Sequence, residues 1–178
     1  MSSFKVNIDR QWRQEEHDRI FHPDIYNMRR VDRIKHLTLH LAKYQGKYLV
    51  AQSKGDDKQK RQVITDAYIV LMSLANVFNF ELPEIKRVHW SFSFDEIVIE
   101  TAALCKAVEA IDHLESSCFR EAILTSVTNL LTSWMKVPGA DFVGWTEVLQ
   151  RLEEVESRNP HYQRYLYLYP HLRPVEVN

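Results

Sequence analysis

Arg29, Arg33, His36, His40, Lys43 and Lys47 follow one another at spacings of four, three, four, three and four residues. In a helix that spacing lines all six along one side. Arg and Lys are the usual donors to phosphate oxygens, and His joins them when protonated, so the line reads as an anion-binding strip or as a solvated face. Within it, His36 and His40 stand i,i+4, which can bring two imidazoles onto one zinc ion. The residue after His36 is Leu37 rather than Glu, which disfavours zinc-protease chemistry. Further along, Gln62, Asp66, Ser73 and Asn76 share a second polar face. Asp66 stands among apolar residues, so it either faces water at the edge of the core or, if buried, needs a partner or a metal. Glu96, Glu100, Glu109 and Asp112 form a third group. Carboxylates one turn apart are how helices hold a hard divalent cation such as Mg²⁺, although surface acids fall into the same spacing by chance. Glu100, followed by Ala102, Ala103 and Leu104, is the best candidate ligand among them.

These groups must be positioned by helices. Apolar residues recur at steps of three and four in Ile34, Leu37, Leu41, Tyr44 and Tyr48, which predicts a helix over about 27–53 that Asn27 caps. The polar turn Lys54-Gly55-Asp56-Asp57-Lys58 separates it from a second helix over about 59–80, carrying Ile64, Ala67, Tyr68, Leu71, Leu74 and Phe78. So short a link makes the pair an antiparallel hairpin. Pro83 closes the second helix, and the stretch to Phe94, with His89, Trp90 and Phe92, reads as a crossover loop. A second hairpin follows, with helices over about 95–114, capped by Asp95, and about 119–134. A shorter helix over about 141–158 has an acidic outer face. Residues 1–27 lack sustained periodicity and read as an arm packed on the body, and the aromatic, proline-bearing tail after Pro160 reads as a wrapped segment rather than a helix. The fold class is therefore all-α: one domain over 1–178, with an N-terminal arm (1–27), a four-helix bundle of two hairpins (28–136), and a C-terminal helix and aromatic tail (137–178). The expected core contains Leu37, Leu41, Tyr44, Ile64, Leu71, Leu74, Leu104, Val108, Ile111, Val127, Leu130 and Trp134.

Composition bounds the function. With 178 residues, 45% hydrophobic and 26% charged, the chain has the make-up of an ordinary globular protein. No apolar run reaches the roughly 18 residues of a membrane span, and no apolar stretch follows the N-terminus as in a secretory signal, so a soluble cytoplasmic protein is expected. A formal charge of −1 supplies no global basic field and argues against non-specific nucleic-acid binding. Cys105 and Cys118 make neither a disulfide framework nor a C-x-x-C pair and read as reduced packing residues.

The run His36-Leu-Thr-Leu-His-Leu-Ala-Lys-Tyr-Gln-Gly-Lys-Tyr-Leu49, followed by Ile64-Thr-Asp-Ala-Tyr-Ile-Val-Leu-Met-Ser-Leu-Ala-Asn76, resembles the MazG-like all-α nucleoside triphosphate pyrophosphatases over about fifty residues, and the helical layout to about Trp134 does so more loosely. In that family a Glu-x-x-Glu near a Gly and a Glu-x-x-Asp on the next helix hold Mg²⁺ ions, which activate water for attack on the triphosphate. Carried over, the first acidic pair falls on Tyr44 and Lys47, flanking Gly46, and the second on Val63 and Asp66, so Asp66 alone keeps its acid. The resemblance implies Mg²⁺-dependent hydrolysis of a nucleoside triphosphate to the monophosphate and pyrophosphate. Asp66 would be catalytic and a metal ligand, Glu100 a second ligand, and His40, Lys43, Lys47 and Asn76 the substrate contacts. It also implies a homo-oligomer. The alternative is a non-catalytic nucleotide-binding or helical interaction protein on the same fold.

Overall fold

The computed structural model describes residues 3–4, 8–83, 85–86, 93–113, 119–140 and 143–172. The expected bundle is present. Helices α1 (Ile8–Phe21) and α2 (Pro23–Tyr26) lead into α3 (Arg30–Ser53) and α4 (Asp57–Val77), the first hairpin; α5 (Phe94–Asp112) and α6 (Phe119–Lys136) form the second. Helix α3 lies against α5 and α4 against α6, so the four long helices close a square. Helix α7 (Trp145–Glu156) packs on α4 and α1, and α8 (Tyr162–Leu168) is followed by a short 3-10 helix, Pro170–Leu172. Two-residue strands, β1 (Ser3–Phe4) and β2 (Ile85–Lys86), pair antiparallel. Among the described residues no helix is long and apolar enough to cross a membrane.

Local chemistry sets the helix ends. Gly55 takes a left-handed φ of +67° in the α3–α4 turn, and the Asp56 side chain caps α4 by accepting from Gln59 N at 2.9 Å. Helix α4 stops at Val77 rather than at residue 80 because Asn79 adopts a left-handed φ of 49°, with Phe80 N donating to Ala75 O and Asn79 N to Asn76 O. This six-to-one closure satisfies the last carbonyls, and Asn tolerates the left-handed conformation. Two expected caps are corrected. Asn27 ends α2, and Arg29 holds the N-cap of α3 without a side-chain bond; Ser93, not Asp95, caps α5 by accepting from Asp95 N at 3.2 Å.

Of the twelve expected core residues, eleven are buried and Ile111 packs partly buried against the rest. Cys105, expected to be a packing residue, is exposed on α5. Cys118 and the crossover-loop residues His89, Trp90 and Phe92 lie outside the described residues.

The N-terminal arm is a fourteen-residue helix, and the tail contains one of seven. Helix α1 buries Gln11, Gln14 and His17 along with Ile20 and Phe21, so its inward stripe has the helical period but is largely polar. Gln11 anchors it. Its Nε2 donates to Asn76 Oδ1 (3.0 Å) and Phe80 O (2.9 Å), its Oε1 accepts from Leu82 N (2.9 Å), and its carbonyl accepts from Asn76 Nδ2 (2.8 Å). At the other end, Phe21 packs edge-on against Tyr165, 5.2 Å between ring centroids, tying α1 to α8.

Candidate functional site

With α1, α2 and α7 laid over the first hairpin, a cavity of about 210 Å³ remains between them. Its apolar wall comes from Ile25, Leu37, Ile69, Val70, Leu152 and Val155, and its polar groups include Gln14, His36, His40, Tyr44, Asp66 and Arg151. Two ion pairs brace it. Arg151 Nε and Nη2 reach Asp66 Oδ1 and Oδ2 at 2.7 and 3.3 Å, and Arg33 Nη2 reaches Asp18 Oδ2 at 3.2 Å while its guanidinium lies over the Tyr26 ring. Arg33 also stands 3.7 Å from Glu15 and Arg151 2.7 Å from Glu154, so each of these cations is matched by more than one carboxylate.

The cationic line of α3 is divided by what covers it. Arg33 is buried beneath α1, His36 and His40 line the cavity with ring centroids 4.5 Å apart, and Lys43 and Lys47 are exposed with their ammonium groups 5.1 and 5.9 Å from the Tyr44 ring centroid. Burial, then the charges of Lys43, His36, His22 and Lys47, lowers the His40 pKa from 6.5 to about 4. Burial and the nearby His17 lower that of His22, and burial and Lys47 lower that of Lys43. At neutral pH, His40 is therefore a neutral imidazole able both to donate and to accept.

This shift has a measurable consequence. Between pH 6.5 and about 4 the unfolded chain protonates residue 40 and the folded chain does not. The stability it contributes is thus full above pH 6.5 and is lost as the pH falls toward 4. Discounted for screening at a half-buried ring, the loss is about 1 to 2 kcal/mol. Urea unfolding of the His40→Asn protein should show that much less decline across the window than wild type, and an identical decline would count against the assignment.

The other expected site residues are scattered. Glu100 is partly exposed on α5 and does not line the cavity. Asn76 is spent on Gln11, one turn beyond the cavity's last α4 residue, Ser73. Glu96 pairs with Lys136 at 2.8 Å, and Asp112 with Lys35 at 2.6 Å. Among the described residues no group of three His, Cys, Asp or Glu side chains could hold a metal ion. Asp66 and Glu100 are not brought together, and the carboxylate of Asp66 already carries a guanidinium. This donor set does not fit Mg²⁺, which needs oxygen ligands converging in near-octahedral geometry.

Sequence reading missed Gln14, His17 and Arg151. The signal for Arg151 was present: it falls in the apolar stripe of α7, with Val148, Leu152 and Val155, on a helix otherwise rich in acid. A base in an inward stripe seeks an inward acid, and Asp66 was the lone candidate on α4. Searches against protein-family models, curated proteins and solved structures find no match to this chain.

Proposed function

We propose that this is a non-catalytic binding protein for a nucleotide-like ligand, with a planar hydrogen-bonding ring in the cavity and phosphate at its mouth. The observation that carries the reading is the cavity's division of labour. Its lining combines paired charges with the rings of His40 and Tyr44, and the ammonium of Lys43 stands beside Tyr44. Gln14, fully buried beside the cavity, has an Oε1 with no hydrogen-bond partner in the protein. Volume supports a ring: an engineered cavity of about 150 Å³ holds benzene, and this one is about 210 Å³. A whole triphosphate would extend outside, where Lys43 lies and Lys47 follows one turn on.

Thermal unfolding with a panel of nucleoside mono-, di- and triphosphates, each with EDTA and with Mg²⁺, tests the proposal. At ten times Kd the ligand is expected to stabilise the protein by about 1.4 kcal/mol, equally in EDTA, with no pyrophosphate released. Lys43→Glu should remove the effect for phosphorylated ligands. No stabilisation across the panel would sink the reading. The hydrolytic alternative has the likeness of the α3–α4 segments in its favour. Mg²⁺-dependent pyrophosphate release that disappears in Asp66→Asn would establish it in place of simple binding.

A further inference from the structure

Four histidines line the cavity: His17 on α1, His22 at the α1–α2 junction, and His36 and His40 on α3. The chain has eight, so half of them meet in this one space. They stand in two pairs, His17 with His22 at 5.1 Å and His36 with His40 at 4.5 Å between ring centroids. The pairs also sense each other, since a charge on His22 is felt at His40.

The carboxylates around these rings are already engaged. On α1, Asp18 and Glu15 face Arg33 of α3; on α4, Asp66 faces Arg151; on α7, Glu154 faces Arg151 and Arg158, and Glu156 faces Arg13. His17 shares Glu156, with its Nδ1 2.8 Å from Oε1. Among the described residues no carboxylate pairs with His22, His36 or His40, and the exposed Asp24 of α2 acts on His22 without an ion pair. Lys43 and Lys47 add two cations at the mouth, while the phenols of Tyr26 and Tyr44, both pushed upward first by burial, stay neutral. A proton taken by any of the three unpaired rings therefore adds a cation that no carboxylate of the cavity is free to match. Burial and neighbouring positive charge hold His22 and His40 below the usual histidine value, and an anion bound among the rings offsets both.

We propose that the acid form of the cavity is a binding site for a small tetrahedral oxyanion, held by the protonated rings of His22, His36 and His40. The ion enters together with the protons it needs, so the site is weak at neutral pH and forms as the pH falls. A space of about 210 Å³, ample for an aromatic ring, also admits an ion of the size of sulfate. The inference does not rest on nucleotide binding, because it uses the imidazoles rather than Lys43 and an ion rather than a ring.

Calorimetric titration of the full chain with sodium sulfate, at constant ionic strength, tests this. Sulfate stays a dianion throughout, so any pH dependence belongs to the protein. From about pH 7.5 down to about pH 5.5 the affinity is expected to rise about tenfold per pH unit for each proton taken up, with about one proton or more counted from the dependence of the heat on the buffer. His22→Asn combined with His40→Asn should flatten that slope. His113→Asn with His171→Asn, both on exposed rings outside the cavity, should leave it as in wild type. Phenyl sulfate separates the two sources of such an ion: tighter binding than sulfate with the same slope points to an oxyanion carried on a larger ligand, and weaker binding to the free ion. No sulfate binding at about pH 5.5, an affinity that does not change with pH, or a slope that survives the His22 and His40 double variant would each overturn the proposal, and the first two are read on wild type alone. The sulfate titration contains no nucleotide, so the two proposals fail separately.

Discussion

Glu156→Ala is expected to destabilise the protein by about 3 to 5 kcal/mol, the usual consequence of stripping one partner from a buried ion pair. Glu156 is 1% exposed, and its Oε1 takes the Nη2 of Arg13 at 2.7 Å and the Nδ1 of His17 at 2.8 Å. Removing the carboxylate leaves a guanidinium and an imidazole facing each other inside the α1–α7 contact with nothing between them. Burial pushes the Glu156 pKa up, but the His17 bond and Arg13 together outweigh it and the net shift is downward. The sign follows: the stabilisation is present above the ordinary glutamate value of about 4.3 and is lost as the pH falls through the lower folded value. Denaturant unfolding at pH 7 measures the loss, and a change below about 1 kcal/mol would show that the three groups do not depend on one another.

The second large effect is expected at Leu71. It is fully buried on α4, the helix that touches α3, α6, α1 and α7, so its cavity cannot be filled by the movement of a single neighbour. Leu71→Ala should lose about 2 to 5 kcal/mol, in the range of buried leucines whose surroundings relax only in part. A loss under about 1 kcal/mol in urea unfolding would contradict its place at the centre of the bundle.

The bundle was legible in the sequence because its signal is apolar and periodic. Leu37, Leu41, Ile64, Leu71, Leu104, Val127 and Leu130 announce their helices by spacing and are all buried. Helix α1 was not legible for a complementary reason: its period is written in Gln11, Gln14 and His17, which a hydrophobicity pattern counts as surface. Those polar residues are inside because others answer them, Asn76 for Gln11, Asp18 for Gln14 and Glu156 for His17. Each partner but Asp18 lies more than sixty residues away, beyond any local window. The candidate site was half visible for the same reason. His40, Lys43 and Asp66 could be singled out by residue type, but the group that answers Asp66 is Arg151, 85 positions along the chain. Asn76 shows the converse, a polar residue of α4 expected as a substrate contact and instead occupied in holding α1, outside the cavity lining.

The way α1 is held shapes how the cavity opens. Its attachment to the hairpin is made by the Gln11–Asn76 amide bonds and by Arg33 with Asp18 and Glu15, while Arg13 and His17 tie it to α7 and Ile20 and Phe21 pack on α8. Lifting such a helix exposes little hydrocarbon, so its release carries a small heat-capacity change and responds weakly to denaturant, whereas separating α3 from α4 does neither. A roof so held is expected to open as a partial unfolding unit of its own while the four-helix square stays shut, at the cost of the Arg13–His17–Glu156 network.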